Sequence, residues 1–561
     1  VRKKILNIIP LEKHRILRLF FVKSLALSIL DLISIAYLIP FITLLLDKDK
    51  FYLILDKIGI ASVSISDSSI RIGILFLIIF YIVKNIIHAK FNKSFFNFLY
   101  DLSNTISLRT IRTFINKDFL FYQKQDKGDV INIIMKVSGD FCCKLLHAII
   151  LLSCEIIVLF IVVSALLFAY PRFTLLALLV LGLFSLLIYY KKKSDFNTIN
   201  TTYNESQATV NSKLINILDG YLEIKSSNNE EYFVNSFNKN NNKLNKVTAS
   251  LVSSSFNYSK YLEICLILCL GLLTYFSFTS SGTNILLIST LAALGFKLVP
   301  SLSKILNAIT HIKSHFYSIK ILNDIRDTET KKTVTPINKF SAEIILKNVS
   351  FSYSEDRRII DTVNFKIKPG DFLGITGISG IGKTTFLYLI MGLLKPIKGK
   401  ITVDGMEING LSFLPFISYV PQQPFLFSGT LLENITMGQT EDEIDHDYIN
   451  FLCNKLELTV VINELPQKYM THIQHDSLRF SGGQKQRIAI VRALYSSPEF
   501  LILDEATNQQ NTALELRIFE FLKELSIKNN MPILSVSHNE DLTSFYDKTF
   551  ILEDQKLLQL G

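Results

Sequence analysis

Six cysteines in 561 residues form no metal or disulfide pattern. Cys142 and Cys143 are adjacent, Cys154, Cys265 and Cys269 sit in apolar runs, and Cys453 stands alone. A disulfide framework or a zinc ribbon needs regular spacings, so these read as small buried thiols. No cleavable signal is visible, because the first apolar run is too long and no small-residue cleavage site follows it. Nor does a domain precede that run, so coupling to a peptidase is not expected. Nothing in the chain points to a nucleic-acid partner. What is abundant is apolar surface: 49% hydrophobic residues, a mean hydropathy of +0.32 and a formal charge of +10. Heavy use of Ile, Lys and Asn is the composition of an AT-rich bacterial genome.

Crossing a bilayer takes roughly 20 apolar residues. Stretches of that kind lie near residues 19–46, 72–88, 148–169, 173–190, 261–278 and 285–308. Basic residues set their orientation. Arg2, Lys3, Lys4, Lys13, Arg15 and Arg18 precede the first stretch and Lys191, Lys192 and Lys193 follow the fourth, while residues 170–172 and 279–284 carry almost no charge. Both termini are therefore expected on the cytoplasmic side of a bacterial inner membrane. Residues 104–127 and 195–246 are polar and read as helical extensions into the cytoplasm.

The C-terminal half carries five motifs in order. Gly377-Ile-Ser-Gly-Ile-Gly-Lys-Thr-Thr385 is a phosphate loop between the apolar strand 372–376 and a helix from Thr385. Gly377, Gly380 and Gly382 let the backbone curl so that its N–H groups, with Ser379 and Thr385, surround phosphates. Lys383 would reach the terminal phosphates of ATP, and the Thr384 hydroxyl would bind Mg²⁺. Phe500-Leu-Ile-Leu503 is a continuous apolar run, as a strand buried on both faces should be. It ends in Asp504, suited to the Mg²⁺ shell, and Glu505, suited to polarising the attacking water. Val420-Pro-Gln422, Phe480-Ser-Gly-Gly-Gln484 and Val536-Ser-His538 complete the set.

The run Phe480-Ser-Gly-Gly-Gln-Lys-Gln-Arg487, just before the carboxylate strand, resembles the signature of the ABC transporter superfamily. That resemblance implies an α-helical six-span transmembrane domain (1–326), a linker (327–339) and an α/β P-loop ATPase domain with the ABC helical subdomain (340–561). It implies that Gln422 contacts Mg²⁺, that His538 contacts the γ-phosphate, and that Tyr353 stacks on adenine. It further implies that Ser481, Gly482, Gly483 and Gln484 complete the ATP site of a second copy. A homodimer follows, with a heterodimer as the alternative. By the same resemblance, turns near 120–127 and 219–226 would be coupling helices.

Three departures stand out. Phe480 replaces the usual leucine, Asn508-Gln-Gln-Asn511 replaces Ser-Ala-Leu-Asp, and residues 472–477 lack the usual glutamate and glycines. The second bears on communication between two sites, since Asn511 removes a negative charge.

For cargo, residues 51–59 form a short amphipathic stretch between the first two spans, and Lys84, Lys260 and Lys297 lie within or near the inner ends of spans. With Lys297-Leu-Val-Pro300 and Tyr261-Leu-Glu263, this is similar to lipid-linked oligosaccharide flippases, where basic residues meet a pyrophosphate. The leading expectation is a flippase for a polyprenyl-pyrophosphate-linked saccharide, and the alternative an exporter of an antibacterial peptide or amphipathic drug. Each lysine has a local alternative, snorkelling or pairing with Asp31, Glu155 or Glu263. An ATP-gated channel or regulatory ATPase is disfavoured by the complete catalytic set.

Overall fold

The computed structural model describes residues 2–46, 67–169, 171, 175, 203, 205–281, 285–327, 343–354, 357–407, 414–473 and 480–560. Its contacts divide the chain into two compact units, Val1–Lys117 with Phe121–Thr330, and Asp118–Leu120 with Lys331–Gly561.

The first unit is helical throughout its described residues. Its long helices are Leu11–Leu46, Asp67–Ile115, His147–Ala169, Glu230–Ser281 and Ile285–His315. The 49 residues of Asp67–Ile115 span about 74 Å at helical rise, far more than the roughly 30 Å of a hydrocarbon core. This helix holds the predicted second span and continues through polar sequence, as the cytoplasmic extensions require. Ile72, Leu75, Ile79, Ile82 and Ile86 on it are exposed, the face an apolar solvent would cover rather than a folded core. Among the described residues, Arg71–Ile115 and Asp140–Ala165 are long and apolar enough to cross a membrane. The predicted spans 19–46, 148–169, 261–278 and 285–308 also fall on helices. The fourth, 173–190, lies outside the described residues apart from Leu175, as do residues 51–59 and, beyond Asp327, the linker 327–339.

An aromatic cluster closes this unit's core, with Phe20 5.3 Å from Phe95 and 5.0 Å from Phe98 between ring centres. Phe141, Leu145 and Leu146 join it from a π-helical segment, Asp140–Leu146. Buried charges are paired, as desolvation demands. Lys144 and Tyr317 both reach Asp140 at 2.7 Å, and Lys304 reaches Glu155 at 2.8 Å. The turns expected to couple the units include helices Phe119–Gln123 and Tyr221–Ser226. Lys127 bridges to Asp219 beside the latter at 3.0 Å.

The second unit is α/β. Strands β1 (Ile344–Ser354), β2 (Arg357–Ile367), β4 (Lys398–Val403) and β5 (Met406–Glu407) form an antiparallel sheet in the order β2-β1-β4-β5. A second sheet runs β12-β11-β3-β10-β9-β6. These are β3 (Phe372–Thr376), β6 (Ile417–Val420), β9 (Phe500–Asp504), β10 (Ile533–Val536), β11 (Lys548–Glu553) and β12 (Lys556–Leu560). All but β12 are parallel. Every residue of β9 is buried, as its unbroken apolar run predicts. Helices Leu431–Thr436, His446–Lys455, Thr459–Asn463 and Gly482–Tyr495 fall between β6 and β9. Phe119 belongs with this unit, its ring meeting that of Tyr388 at 4.8 Å.

Candidate functional site

Sheet topology assembles the motifs. The phosphate loop follows β3, Gln422 follows β6, Asp504 ends β9 and His538 follows β10. All leave the carboxyl edge of parallel strands, where open α/β sheets bind ligands. The phosphate-loop helix begins at Lys383 rather than Thr385, with Gly382 as its N-cap at φ +115°. A Cβ there would lie 2.5 Å from the Ile359 side chain, and one on Gly377 (φ +144°) 2.7 Å from the Leu552 carbonyl. Both positions therefore need glycine for conformation and for space.

Six predicted residues converge. The Lys383 ammonium donates to the Gly377 carbonyl at 2.7 Å and lies 2.9 Å from His538 Nε2. It stands 3.6 Å from Glu505 Oε1. Glu505 Oε1 is also 2.9 Å from His538 Nε2. Its Oε2 accepts from Gln422 Nε2 at 2.7 Å and from Asn508 Nδ2 at 3.0 Å. The Glu505 backbone is left-handed at φ +50°, an unusual geometry for a residue with a side chain, and one that clusters at functional sites. Asp504 Oδ2 accepts from Thr384 Oγ1 at 2.9 Å and from Tyr419 Oη at 3.0 Å. Burial pushes the Asp504 carboxyl above the usual range, against the hydrogen bonds from Thr384 and Tyr419 that favour its ionised form. Burial likewise lowers Lys383, opposed by Glu505. A triphosphate and a divalent cation would reverse both tendencies.

The donor set suits Mg²⁺: a hydroxyl (Thr384), a carboxylate (Asp504) and an amide oxygen (Gln422) are all hard oxygen ligands. Were Lys383 to meet phosphates and Glu505 a water, with His538 beside both, these groups could perform phosphoryl transfer to water.

The remaining predicted residues sit as follows. The half-exposed Tyr353 has its hydroxyl 3.2 Å from Thr385 Oγ1 and lines a cavity of about 410 Å³ with Arg358 and Lys398. Ser379 and Gly380 lie on the exposed loop. Ser481 and Gln484 cap the helix Gly482–Tyr495 reciprocally, at 2.9 and 3.2 Å. Gly483 accepts from Gln510 at 2.8 Å, and a Cβ on Gly482 would collide with Gln509. Among the described residues, hydrogen bonds of 481–484 run within their own helix turn and to Gln510, not to the phosphate loop.

In the helical unit Lys84, 9% exposed, lies 3.0 Å from Asp31 and 3.3 Å from Ser34 Oγ. Lys260 lies 3.0 Å from Glu263. The structure thus places each beside a carboxylate that was its local alternative. The Lys297 side chain lies outside the described residues.

Sequence reasoning missed Tyr419, Tyr388 and Gln486. The buried Gln486 donates to the carbonyls of Gln422 and Glu505 at 3.3 and 3.4 Å, and accepts from Gln509 N and Gln510 Nε2 at 3.2 and 3.3 Å. Its signal was its place in the signature run, inside a helix otherwise buried through aliphatic side chains. Asn511, read as a lost charge, is the N-cap of helix Thr512–Asn529, accepting from Leu514 N at 2.8 Å.

Residues 360–508 match the family model described as ABC transporter. The chain carries an ABC transporter ATP-binding domain. It is 28% identical over 407 residues to the pediocin PA-1 transport/processing ATP-binding protein PedD of Pediococcus acidilactici, covering 69% of this chain and 54% of that one. It is 27% identical over 512 residues to the lactococcin-G-processing and transport ATP-binding protein LagD of Lactococcus lactis subsp. lactis, covering 88% of this chain and 70% of that one. Against PedD and several other relatives, then, the chain spans about half their length. The solved structure of a bacterial Atm1-family ABC exporter with ATP bound shares the fold, with a TM-score of 0.80 at 18% identity, over 97% of this chain and 95% of that one.

Proposed function

We propose that this ABC protein is an exporter half that hydrolyses Mg-ATP to drive a peptide out across a bacterial cytoplasmic membrane. It would work as a homodimer with six spans in each copy and both termini cytoplasmic. The observation that carries the catalytic part is the convergence of Lys383, Thr384, Gln422, Asp504, Glu505 and His538 at one sheet edge. For cargo, the names of PedD and LagD support a peptide of the bacteriocin class. The lipid-pyrophosphate reading drew on Lys84, Lys260 and Lys297 together with the amphipathic stretch 51–59, and it draws less support with Lys84 and Lys260 each beside a carboxylate. The largely buried Lys84–Asp31 pair offers little to a pyrophosphate, since each charge already satisfies the other.

The test is ATPase activity and uptake in inside-out proteoliposomes, with an amphipathic bacteriocin-class peptide and with a polyprenyl-pyrophosphate disaccharide. Peptide-stimulated hydrolysis with ATP-dependent peptide uptake is expected, and both should vanish in Glu505→Gln. Uptake of the lipid-linked saccharide alone would overturn the cargo, and no ATP turnover under any condition would overturn the exporter itself.

A further inference from the structure

Tyr419 lies on β6, in register with Ile502 of β9, three residues before Gln422. Its hydroxyl donates to Asp504 Oδ2, the same oxygen that Thr384 uses. Tyr388, on the phosphate-loop helix, meets the Tyr419 ring edge-on at 6.2 Å. Phe119 closes the far side of Tyr388 at 4.8 Å.

A carboxylate held by one donor can still rotate about its Cβ–Cγ bond. Two donors on one oxygen, from two different elements, fix its plane and leave Oδ1 as the oxygen to face a cation or its water. The same bond ties the end of β6 to the end of β9, and so sets the distance between the carboxylate of Asp504 and the amide of Gln422. A phenylalanine would fill the same ring volume. The hydroxyl is therefore there for Asp504, and ligand-orienting groups of this kind commonly matter ten- to a hundred-fold for metal affinity.

We propose that Tyr419 is a positioning residue for the divalent cation: it orients Asp504 and holds the strand that carries Gln422, with Tyr388 buttressing it from the phosphate-loop helix. This rests on the Mg-ATP reading of the site. The probe is Mn²⁺, followed by electron paramagnetic resonance in the full chain with ATP bound, on a Glu505→Gln background so that nucleotide persists. Tyr419→Phe is expected to weaken Mn²⁺ about 10-fold. ATP binding measured in EDTA should stay within about 2-fold, and thermal unfolding should be unchanged. In the otherwise native chain, the metal concentration for half-maximal ATPase should rise by a similar factor while the rate at saturating Mn²⁺ largely recovers. Tyr388→Phe, which keeps the ring that packs on Tyr419, should leave Mn²⁺ affinity within about 2-fold of its parent. Equal Mn²⁺ affinity in Tyr419→Phe overturns the proposal, as does a parallel loss of metal-free ATP binding, which would mark a packing role. Should the parent protein bind ATP yet take up no Mn²⁺, the reading of the site itself falls, and this one with it.

Discussion

Replacing Glu505 by glutamine removes one negative oxygen from a point where three donors and the His538 imidazole meet. Lys383 and His538 face Oε1, at 3.6 and 2.9 Å, and Gln422 and Asn508 face Oε2, at 2.7 and 3.0 Å. A glutamine offers one acceptor and one NH₂ there. Turned one way its NH₂ opposes the Gln422 and Asn508 amides, which a flip of either relieves; turned the other way it opposes Lys383, while a neutral His538 with its lone pair on Nε2 can accept from it. The local cost falls on a single side-chain contact, about 1–3 kcal/mol, and the fold should tolerate it. The chemical cost is larger. A positioned general base contributes about 10²–10⁴-fold, or roughly 2.7–5.4 kcal/mol of barrier at 1.36 kcal/mol per decade. Turnover, read by phosphate release, should fall at least ~100-fold. ATP binding should remain within a few-fold, because the phosphate contacts belong to Lys383 and the loop. Bound ATP should then hold two ATPase units together, visible by size-exclusion chromatography as a nucleotide-dependent dimer. Phosphate release within a few-fold of the native rate would refute the assignment. Loss in His538→Ala alone would transfer the role to the histidine.

Tyr353→Ala should raise the Michaelis constant for ATP several-fold with little change in maximal rate, since a stacked ring contributes about 1 kcal/mol; Tyr353→Phe, which loses only the Thr385 contact, should change it less than about 2-fold. An unchanged constant in the alanine variant would place the base elsewhere. Asn511→Ala should cost about 1 kcal/mol through the lost helix cap, lowering the melting temperature by about 2–4 °C for a domain of this size, whereas Asn511→Asp should match or exceed the native protein because an acid favours a helix N-terminus. Burial alone would raise Asp547, but hydrogen bonds from Lys523 and the Phe372 amide outweigh it and hold the carboxyl below the usual range. Its contribution to stability is therefore full above the unfolded value near ~3.9 and lost as pH falls through the lower folded value. Asp547→Asn should flatten that part of a stability–pH profile, and a slope equal to the native one would rule the residue out.

The nucleotide site was legible because its chemistry demands particular residue types in a fixed order along the chain. A loop of glycines ending in Lys383, and a buried strand ending in Asp504 and Glu505, are local patterns, and the parallel sheet needed only to bring their ends together. What required the fold was pairing between distant residues. Nothing local to Lys84 says that Asp31, on another helix, neutralises it, so residue type and depth suggested a basic patch. Tyr419 escaped notice for the same reason: on a strand, a tyrosine is ordinary, and only the register with β9 gives its hydroxyl a carboxylate. Residues 508–511 show the converse. Their departure from the usual motif was plain, yet Asn511 performs in the helix cap the work an aspartate would do, because either side-chain oxygen accepts the Leu514 amide.

Gln486 joins three loops through a single amide: its nitrogen holds the carbonyls of Gln422 and Glu505, and its oxygen holds the 509–510 segment. A side chain of that size is nearly rigid between its two ends. A displacement of the strand end at Gln422 is therefore handed to the Glu505 backbone and to the neighbouring turn in the same movement, as three links on a common pin must turn together. No one of the loops can drift by an ångström while the others stay, unless a buried polar group is left unpaired. Graded, partial engagement is thus the expensive state, and the arrangement favours an ATPase unit that is either set for chemistry in all three places or in none.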